Sequence, residues 1–504
     1  MSIAEQTVVR GGDWKRLAGG LTLFDRLLVL VAIYFIALRL WFSFAAFPVA
    51  DEAYYWLWGR HPGFSYFDHP PLAGWLQGIT HAIFGTNLFA LRLPALVCFA
   101  VVVLILQKVA VRVAGAEWRG MFLRSLVVYL ASPVFFFFGS VVFIDYLLVA
   151  LMMASGYLFF CYLGDVETKG QGRLRDLFGA AVLLGLAGLA KYNAGFLGVA
   201  VAGVVLTRPK LRPLLRDWPI YAAAAIAVAM QAPVLAWNLQ HDFASFAFRA
   251  NDPLGGGGTF TGINVAGMKA FVADTGALLS WALVPVIMRF FWSRPDPGFA
   301  QVGKTIAIWV FWLSSLTFLY ISNYSWIQWW WNTAAFVLVI PFSGRYIGPF
   351  LLTLHVAWGG FINTLILVSL VVVPLSVLIG RGPFMETEAA YGWDEITAAV
   401  REVASSRDAD FIATNRYQFS SQLAFALDDP EVTEISPRRD AFDDWFDAPA
   451  HAGQSAVVVV DGREDVTYWR SKFTAIEKIR DLAITRLGFP MRSYEVYFAK
   501  GYIP

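Results

Sequence analysis

The sequence predicts a polytopic α-helical membrane protein of about eleven spans that ends in a soluble α/β domain, and three observations carry that expectation. Of its 504 residues, 58% are hydrophobic and only 15% charged, against about 25% charged in an average soluble protein. A water-soluble fold is thereby excluded. Apolar runs long enough to cross a hydrocarbon core of roughly 30 Å recur from residue 23 to residue 380. The charge then changes sign: residues 1–380 hold 25 Lys and Arg against 16 Asp and Glu, and residues 381–504 hold 14 against 21. The formal total of +2 therefore joins two environments.

Stretches such as Val97 to Leu106 and Ala222 to Met230 are apolar on every face, which excludes the alternating strands of a membrane barrel. Spans are expected at 23–44, 91–107, 121–140, 145–163, 177–190, 193–207, 218–237, 268–290, 304–321, 332–347 and 350–380. The connections carrying Arg10/Lys15/Arg16, Lys108 to Arg124, Lys169 to Arg175, Arg208 to Arg216, Arg289 to Lys304 and Arg345 are basic, and short basic loops stay cytoplasmic. These basic residues sit at span ends, which gives no reason to expect nucleic acid. An odd span count places the N-terminus inside and puts 45–90, 141–145, 191–192, 238–267, 322–331 and the tail on the other side. In a bacterium that side is the periplasm. Met1 to Arg16 has no cleavable signal pattern, because a full span follows it. Cys98 and Cys161 fall inside apolar runs and read as buried thiols.

Two domains follow: a membrane domain over 1–380 and an α/β domain over 381–504. Segment 45–90 is too long for a connector, and its Tyr54, Tyr55, Trp56, Trp58, Phe64, Tyr66, Phe67 and Trp75 suit a membrane interface. In the tail, 394–404 and 419–427 read as helices, and 410–414, 455–460 and 494–498 as strands. The run Gly255 to Gly258 reads as a flexible loop, since it lacks the Lys-Ser/Thr of a phosphate-binding loop.

Candidate chemistry gathers on the non-cytoplasmic face. Asp51 and Glu52 follow the first span, Asp68-His69-Pro70-Pro71 lies in the same segment, and Asp145 stands at the outer end of the fourth span. Ionisable groups at a low-dielectric boundary are costly without a task or a partner. A helix-capping or salt-bridged role is the plain alternative for each. Lys191, Tyr192, His241, Arg249 and Lys269 lie on the same face, where Lys and Arg are scarce and a phosphate-bearing head group would account for them. Acids that deprotonate a hydroxyl, beside cations that stabilise a departing phosphate, fit a transfer reaction. Asp68, His69 and His241 could form a mixed oxygen and nitrogen site for a divalent ion, although their spacing is not a metal signature.

The Asp51-Glu52 pair, the aromatic first loop, the Phe67-Asp-His-Pro-Pro-Leu72 block, the outer Asp145, the Leu189-Ala-Lys-Tyr192 segment and the trailing domain resemble the bacterial GT-C glycosyltransferases related to protein O-mannosyltransferases and the lipid A aminoarabinose transferase. The resemblance covers the chain well to about residue 260. It implies an inverting transfer of a sugar from a polyprenyl-phosphate donor at the periplasmic face of the inner membrane. The acceptor would be lipopolysaccharide core or lipid A, a glycan, or a protein. By this resemblance Asp51 activates the acceptor with Glu52 beside it, and Asp145 is the second acid. The family's Phe-Glu-Lys-Pro donor and metal region corresponds to Phe67-Asp68-His69-Pro70, next to Tyr66, with both charged positions substituted. Lys191 and Arg249 take the positions expected near the carrier phosphate, and Tyr192 and Lys269 are grouped with them as outer-face candidates for phosphate binding. Where many relatives carry a His-Trp, this chain has Ser325 to Trp331, to which no role transfers. A transporter of a lipid-linked or anionic substrate is the rival reading, but transporter sites lie near the midplane, whereas these charges lie at the outer boundary.

Overall fold

Thr22 and Asp25 start the first long helix by capping each other's backbone: the Thr22 hydroxyl accepts from the Asp25 N–H at 3.1 Å, and the Asp25 carboxylate accepts from the Thr22 N–H at 3.3 Å. This computed structural model describes residues 22–251, 263–323, 327–328, 330–378, 380, 387, 389–461 and 466–504. The Gly255 to Gly258 run, Arg10/Lys15/Arg16 and most of the stretch from Tyr324 to Trp329 lie outside them.

The helices of the first half are α1 (Leu23–Ala45), α2 (Ala50–Arg60), α3 (Leu72–Phe84), α4 (Leu88–Ala114), α5 (Trp118–Ala131), α6 (Pro133–Phe138), α7 (Ile144–Lys169), α8 (Leu174–Ala190) and α9 (Gly195–Thr207). Those of the second half are α10 (Trp218–Ala229), α11 (Ala232–Gln240), α12 (Ala244–Asn251), α13 (Val265–Leu279), α14 (Val284–Trp292), α15 (Phe299–Ile321), α16 (Ala334–Val337), α17 (Ile340–Ser343) and α18 (Pro349–Val371). Arg92, early in α4, donates to the carbonyls of Phe42, Ser43 and Ala46 at the end of α1, and Arg124, early in α5, pairs with Asp25 at the start of α1. The stretch from Leu88 to Ala131 therefore folds back on itself at Gly115, whose φ of +53° suits a residue without a Cβ.

Among the described residues, five helical stretches, with Leu88–Ala131 counted once, are long and apolar enough to cross a membrane, or seven if two bent pairs each count as one span. The bends are 42° between α10 and α11 and 87° between Val265–Leu279 and Trp281–Trp292. The expected eleven is not reached for local reasons. Helices α8 and α9 have 17 and 13 residues, and the expected span at 332–347 breaks into the four-residue helices α16 and α17 around Pro341.

The last part of the chain forms α19 (Trp393–Arg407), β1 (Phe411–Thr414), α20 (Tyr417–Leu427), β2 (Thr433–Glu434), α21 (Phe442–Trp445), β3 (Ala456–Asp461), β4 (Phe473–Arg486) and β5 (Phe489–Tyr502). They make one sheet in the order β2-β1-β3-β5-β4, with β1 parallel to β2 and β3, and β5 antiparallel to β3 and β4. Strand β3 is buried along its whole length, as its Val-Val-Val-Val run dictates. Edge strand β4 instead shows Glu477, Lys478, Arg480 and Asp481, charges that discourage pairing with another chain.

The first-loop aromatics, expected at a membrane interface, are largely covered by protein. Tyr54, Tyr55, Trp56, Trp58 and Tyr66 share an apolar cluster with Trp393, Ile396, Phe419, Leu423, Val457 and Tyr494 of the C-terminal part. Helices α2 and α3 meet at Gly59 and Gly78, and a Cβ on Gly59 would stand 2.8 Å from the Gln77 carbonyl carbon. That close approach makes the two short helices a platform on which α20 rests.

Candidate active site

The site grows from adjacent acids that a helix sends to different places. In an α-helix consecutive side chains point about 100° apart, so Asp51 and Glu52 at the start of α2 cannot share a surrounding. Glu52 is fully buried against Arg92, whose Nη2 and Nε lie 2.7 and 2.9 Å from its two oxygens. The same oxygens accept from the Val142 N–H at 2.9 Å and the Val49 N–H at 3.1 Å. Glu52 thus ties together the end of α1, α2, α4 and the segment before α7. Asp51 is only partly buried, and its Oδ1 accepts from the Tyr417 hydroxyl of α20 at 3.3 Å.

Asp145 is placed by the start of α7, Lys191 by a break between helices. Lys191 is extended at φ −157° between α8 and a short 3-10 turn. Its Nζ lies 2.8 and 2.9 Å from the two oxygens of buried Asp145. Asp145 is therefore neither a helix cap nor an isolated acid. Asp68 accepts from the Tyr54 hydroxyl at 2.6 Å and lies 3.6 Å from Nη2 of Arg438. The phenol of Tyr55 joins these groups. Burial drives its pKa well above the usual value, and the charges of Asp51, Tyr417, Asp145 and Asp68 raise it further.

Other residues singled out from the sequence stand elsewhere or act differently. The Tyr66 hydroxyl donates to the Trp58 carbonyl at 2.6 Å and its ring stacks on Trp58 at 4.4 Å, so it braces the loop from inside. The His69 carbonyl accepts from the Tyr66 N–H at 3.2 Å, closing that turn. Tyr192 lies near Phe246, with ring centroids 6.2 Å apart. Lys269 is exposed on α13, and the side chain of Arg249 lies outside the described residues. The expected divalent site is not formed by Asp68, His69 and His241. Asp68 is engaged by Tyr54 and Arg438, and His241 stacks on Trp237 at 4.0 Å with its Nδ1 2.8 Å from the Trp237 carbonyl. Among the described residues, no group of three or more His, Cys, Asp or Glu is arranged to hold a metal ion. No step below is routed through one.

The sequence did not point to Tyr417, Arg438 or Arg439. All three belong to the C-terminal part, where a charged or phenolic residue is ordinary. Arg438 covers the Tyr417 ring at 4.9 Å, and Arg439 covers Phe67 at 5.5 Å while pairing with Asp444 at 3.8 Å. The backbone N–H of Ala441 donates to the Tyr54 hydroxyl at 3.1 Å, and Gln422 donates to the Pro48 carbonyl at 2.8 Å. The C-terminal part is therefore seated on the acids.

Comparison with known proteins meets this geometry. Residues 68–237 match the family of dolichyl-phosphate-mannose-protein mannosyltransferases. A crystal structure of ArnT from Cupriavidus metallidurans bound to undecaprenyl phosphate superposes with a TM-score of 0.58, covering 94% of this chain and 97% of that one at 14% identity. The chain therefore shares the fold of that ArnT structure. In sequence, the chain is 29% identical to the lipid A galacturonosyltransferase RgtD of Rhizobium johnstonii over 254 residues, which is 49% of this chain and 50% of that protein. It is 25% identical over 194 residues to an undecaprenyl phosphate-alpha-4-amino-4-deoxy-L-arabinose arabinosyl transferase of Serratia proteamaculans, 37% of this chain and 33% of that one. The aligned part thus spans half or less of these relatives. The family match, these relatives and the ArnT superposition agree with the resemblance to GT-C glycosyltransferases read from the sequence.

Proposed function

We propose that the chain is an inverting glycosyltransferase that moves a sugar from a polyprenyl-phosphate donor to a hydroxyl of lipid A or lipopolysaccharide core, at the outer face of the cytoplasmic membrane. The carrying observation is the seating of the C-terminal part on the first-loop acids, with Tyr417 on Asp51 at 3.3 Å and Arg438 3.6 Å from Asp68. The basic connections at the other ends of the helices support the orientation. The similarity to half of a lipid A galacturonosyltransferase and to a third of an aminoarabinose transferase supports the donor and acceptor classes.

In this reading Asp51, reachable and steadied by Tyr417, takes the proton of the acceptor hydroxyl. The acceptor oxygen bonds to the anomeric carbon as the bond from that carbon to the phosphate oxygen breaks, and the electron pair leaves with the phosphate. Lys191 pairs with Asp145 and so neutralises the second acid beside the reacting groups. Glu52 fixes the start of α2 and so aims Asp51. Enclosure beneath α20 and α21 excludes water, which would otherwise compete as acceptor.

The test is transfer by the purified full chain in lipid nanodiscs. Polyprenyl-phosphate galacturonic acid and polyprenyl-phosphate 4-amino-4-deoxy-L-arabinose are offered with lipid A, and the product is read by mass spectrometry. Addition of one sugar mass to lipid A is expected from at least one donor. A folded protein that modifies lipid A with neither donor contradicts the reading.

A further inference from the structure

Two buried cations beside the site are paired with acids. Arg92 is spent on Glu52 and Lys191 on Asp145. The mouth that remains contains Asp51 and Asp68, an arrangement that by itself repels an anionic substrate. Arg438 and Arg439 change that balance, and both come from the segment between β2 and α21. Their side chains are 49% and 52% exposed, so they bring accessible positive charge to the mouth.

Their contacts are those of cations that can accept a further partner. At 3.6 Å, the approach of Arg438 to Asp68 is longer than a hydrogen bond, while Asp68 has a closer partner in Tyr54 at 2.6 Å. A guanidinium presents five N–H donors in a planar fork, and half-exposed ion pairs of this kind add little to stability. Placement argues further. Arg438 lies over the Tyr417 ring, whose hydroxyl donates to Asp51, so the guanidinium is one side chain removed from the proposed base. Arg439 lies over Phe67, which packs against Phe248 of α12 at 4.9 Å, so the second arginine stands near α12.

We propose that Arg438, assisted by Arg439, is a phosphate-binding site that the C-terminal part contributes to the active site. Forked donors match two phosphate oxygens at once, which a lysine cannot do. The phosphate would belong either to the lipid carrier of the donor or to a phosphorylated lipid acceptor. This inference rests on the transferase reading for its purpose, but binding tests it without turnover.

The experiment uses the full chain in nanodiscs with three probes: undecaprenyl phosphate, lipid A, and lipid A stripped of its phosphates. Arg438→Gln should weaken binding of one phosphorylated probe by about tenfold, the usual size of a lost charge-assisted contact. Binding of the stripped lipid should stay within about twofold by the same reasoning. Arg438→Lys, which keeps the charge but not the fork, should fall between, and Arg439→Gln should show a smaller loss. Loss confined to undecaprenyl phosphate assigns the carrier phosphate, and loss confined to lipid A assigns the acceptor phosphate. Unchanged binding of both phosphorylated probes overturns the site, as does an equal loss for the stripped lipid. If Arg438→Gln does not fold, Arg438→Lys and Arg439→Gln decide between the same outcomes. Wild-type protein that binds these probes in the expected pattern yet transfers no sugar would sink the transferase reading alone.

Discussion

Asp51 and Glu52 are neighbours in sequence, yet one faces the mouth of the site and the other lies sealed in the protein. Glu52 has both oxygens engaged by Arg92 and two backbone N–H groups, whereas Asp51 stays partly open beneath Tyr417. The difference teaches that an acid at a membrane boundary is assigned by what reaches it from elsewhere in the chain. Arg92 arrives from α4 and neutralises Glu52. A phenol reaches Asp51, and it donates a hydrogen bond without bringing a counter-charge.

Breaking the sealed side should have the largest effect on the molecule as a whole. Glu52→Gln leaves the Arg92 guanidinium buried without a counter-charge, which costs about 3–5 kcal/mol in such settings. Thermal unfolding of the full chain in detergent should show a large drop in midpoint and a low yield of folded protein. A near wild-type midpoint would mean that Glu52 is not the clasp described.

A third buried acid sharpens the comparison, because it has an acid for a neighbour. Asp440 is buried beside Glu434, and its pKa is pushed up to about 9, first by burial and then by that neighbour. The folded value lies above the unfolded one, so the stabilisation is fully present below about pH 4 and is lost progressively as pH rises towards 9. The unfolding midpoint should therefore fall across that interval, and Asp440→Asn should flatten the slope. Because the slope sums over other groups, the readout is the difference between variant and wild type. An identical slope in both would show that Asp440 titrates as an ordinary carboxylate.

Much of the fold was legible because long apolar runs leave a helix little choice. Spans expected at 23–44, 145–163 and 304–321 appear as Leu23–Ala45, Ile144–Lys169 and Phe299–Ile321. Strand β4 was hidden, since Ile476, Ile479 and Leu482 recur at a spacing of three that imitates a helix face, and most of the strand is exposed. In the site, Asp51, Asp68, Asp145 and Lys191 were legible as ionisable groups in apolar surroundings. The division of labour between Asp51 and Glu52 was not, because it depends on Arg92, 40 residues away. Tyr417 and Arg438 were hidden for the opposite reason, since nothing about a polar residue in a charged segment marks it until the chain folds back onto α2.

The most direct test of the account measures turnover and thermal midpoint together in Asp51→Asn. An amide cannot take the acceptor's proton, so transfer to lipid A should fall by about 100-fold or more, the usual scale of a lost general base. The midpoint should stay close to wild type, because Asp51 is not part of the buried clasp. Wild-type turnover in Asp51→Asn, or a loss of turnover that only follows a loss of folding, would contradict the assignment of these two adjacent acids to chemistry and to structure.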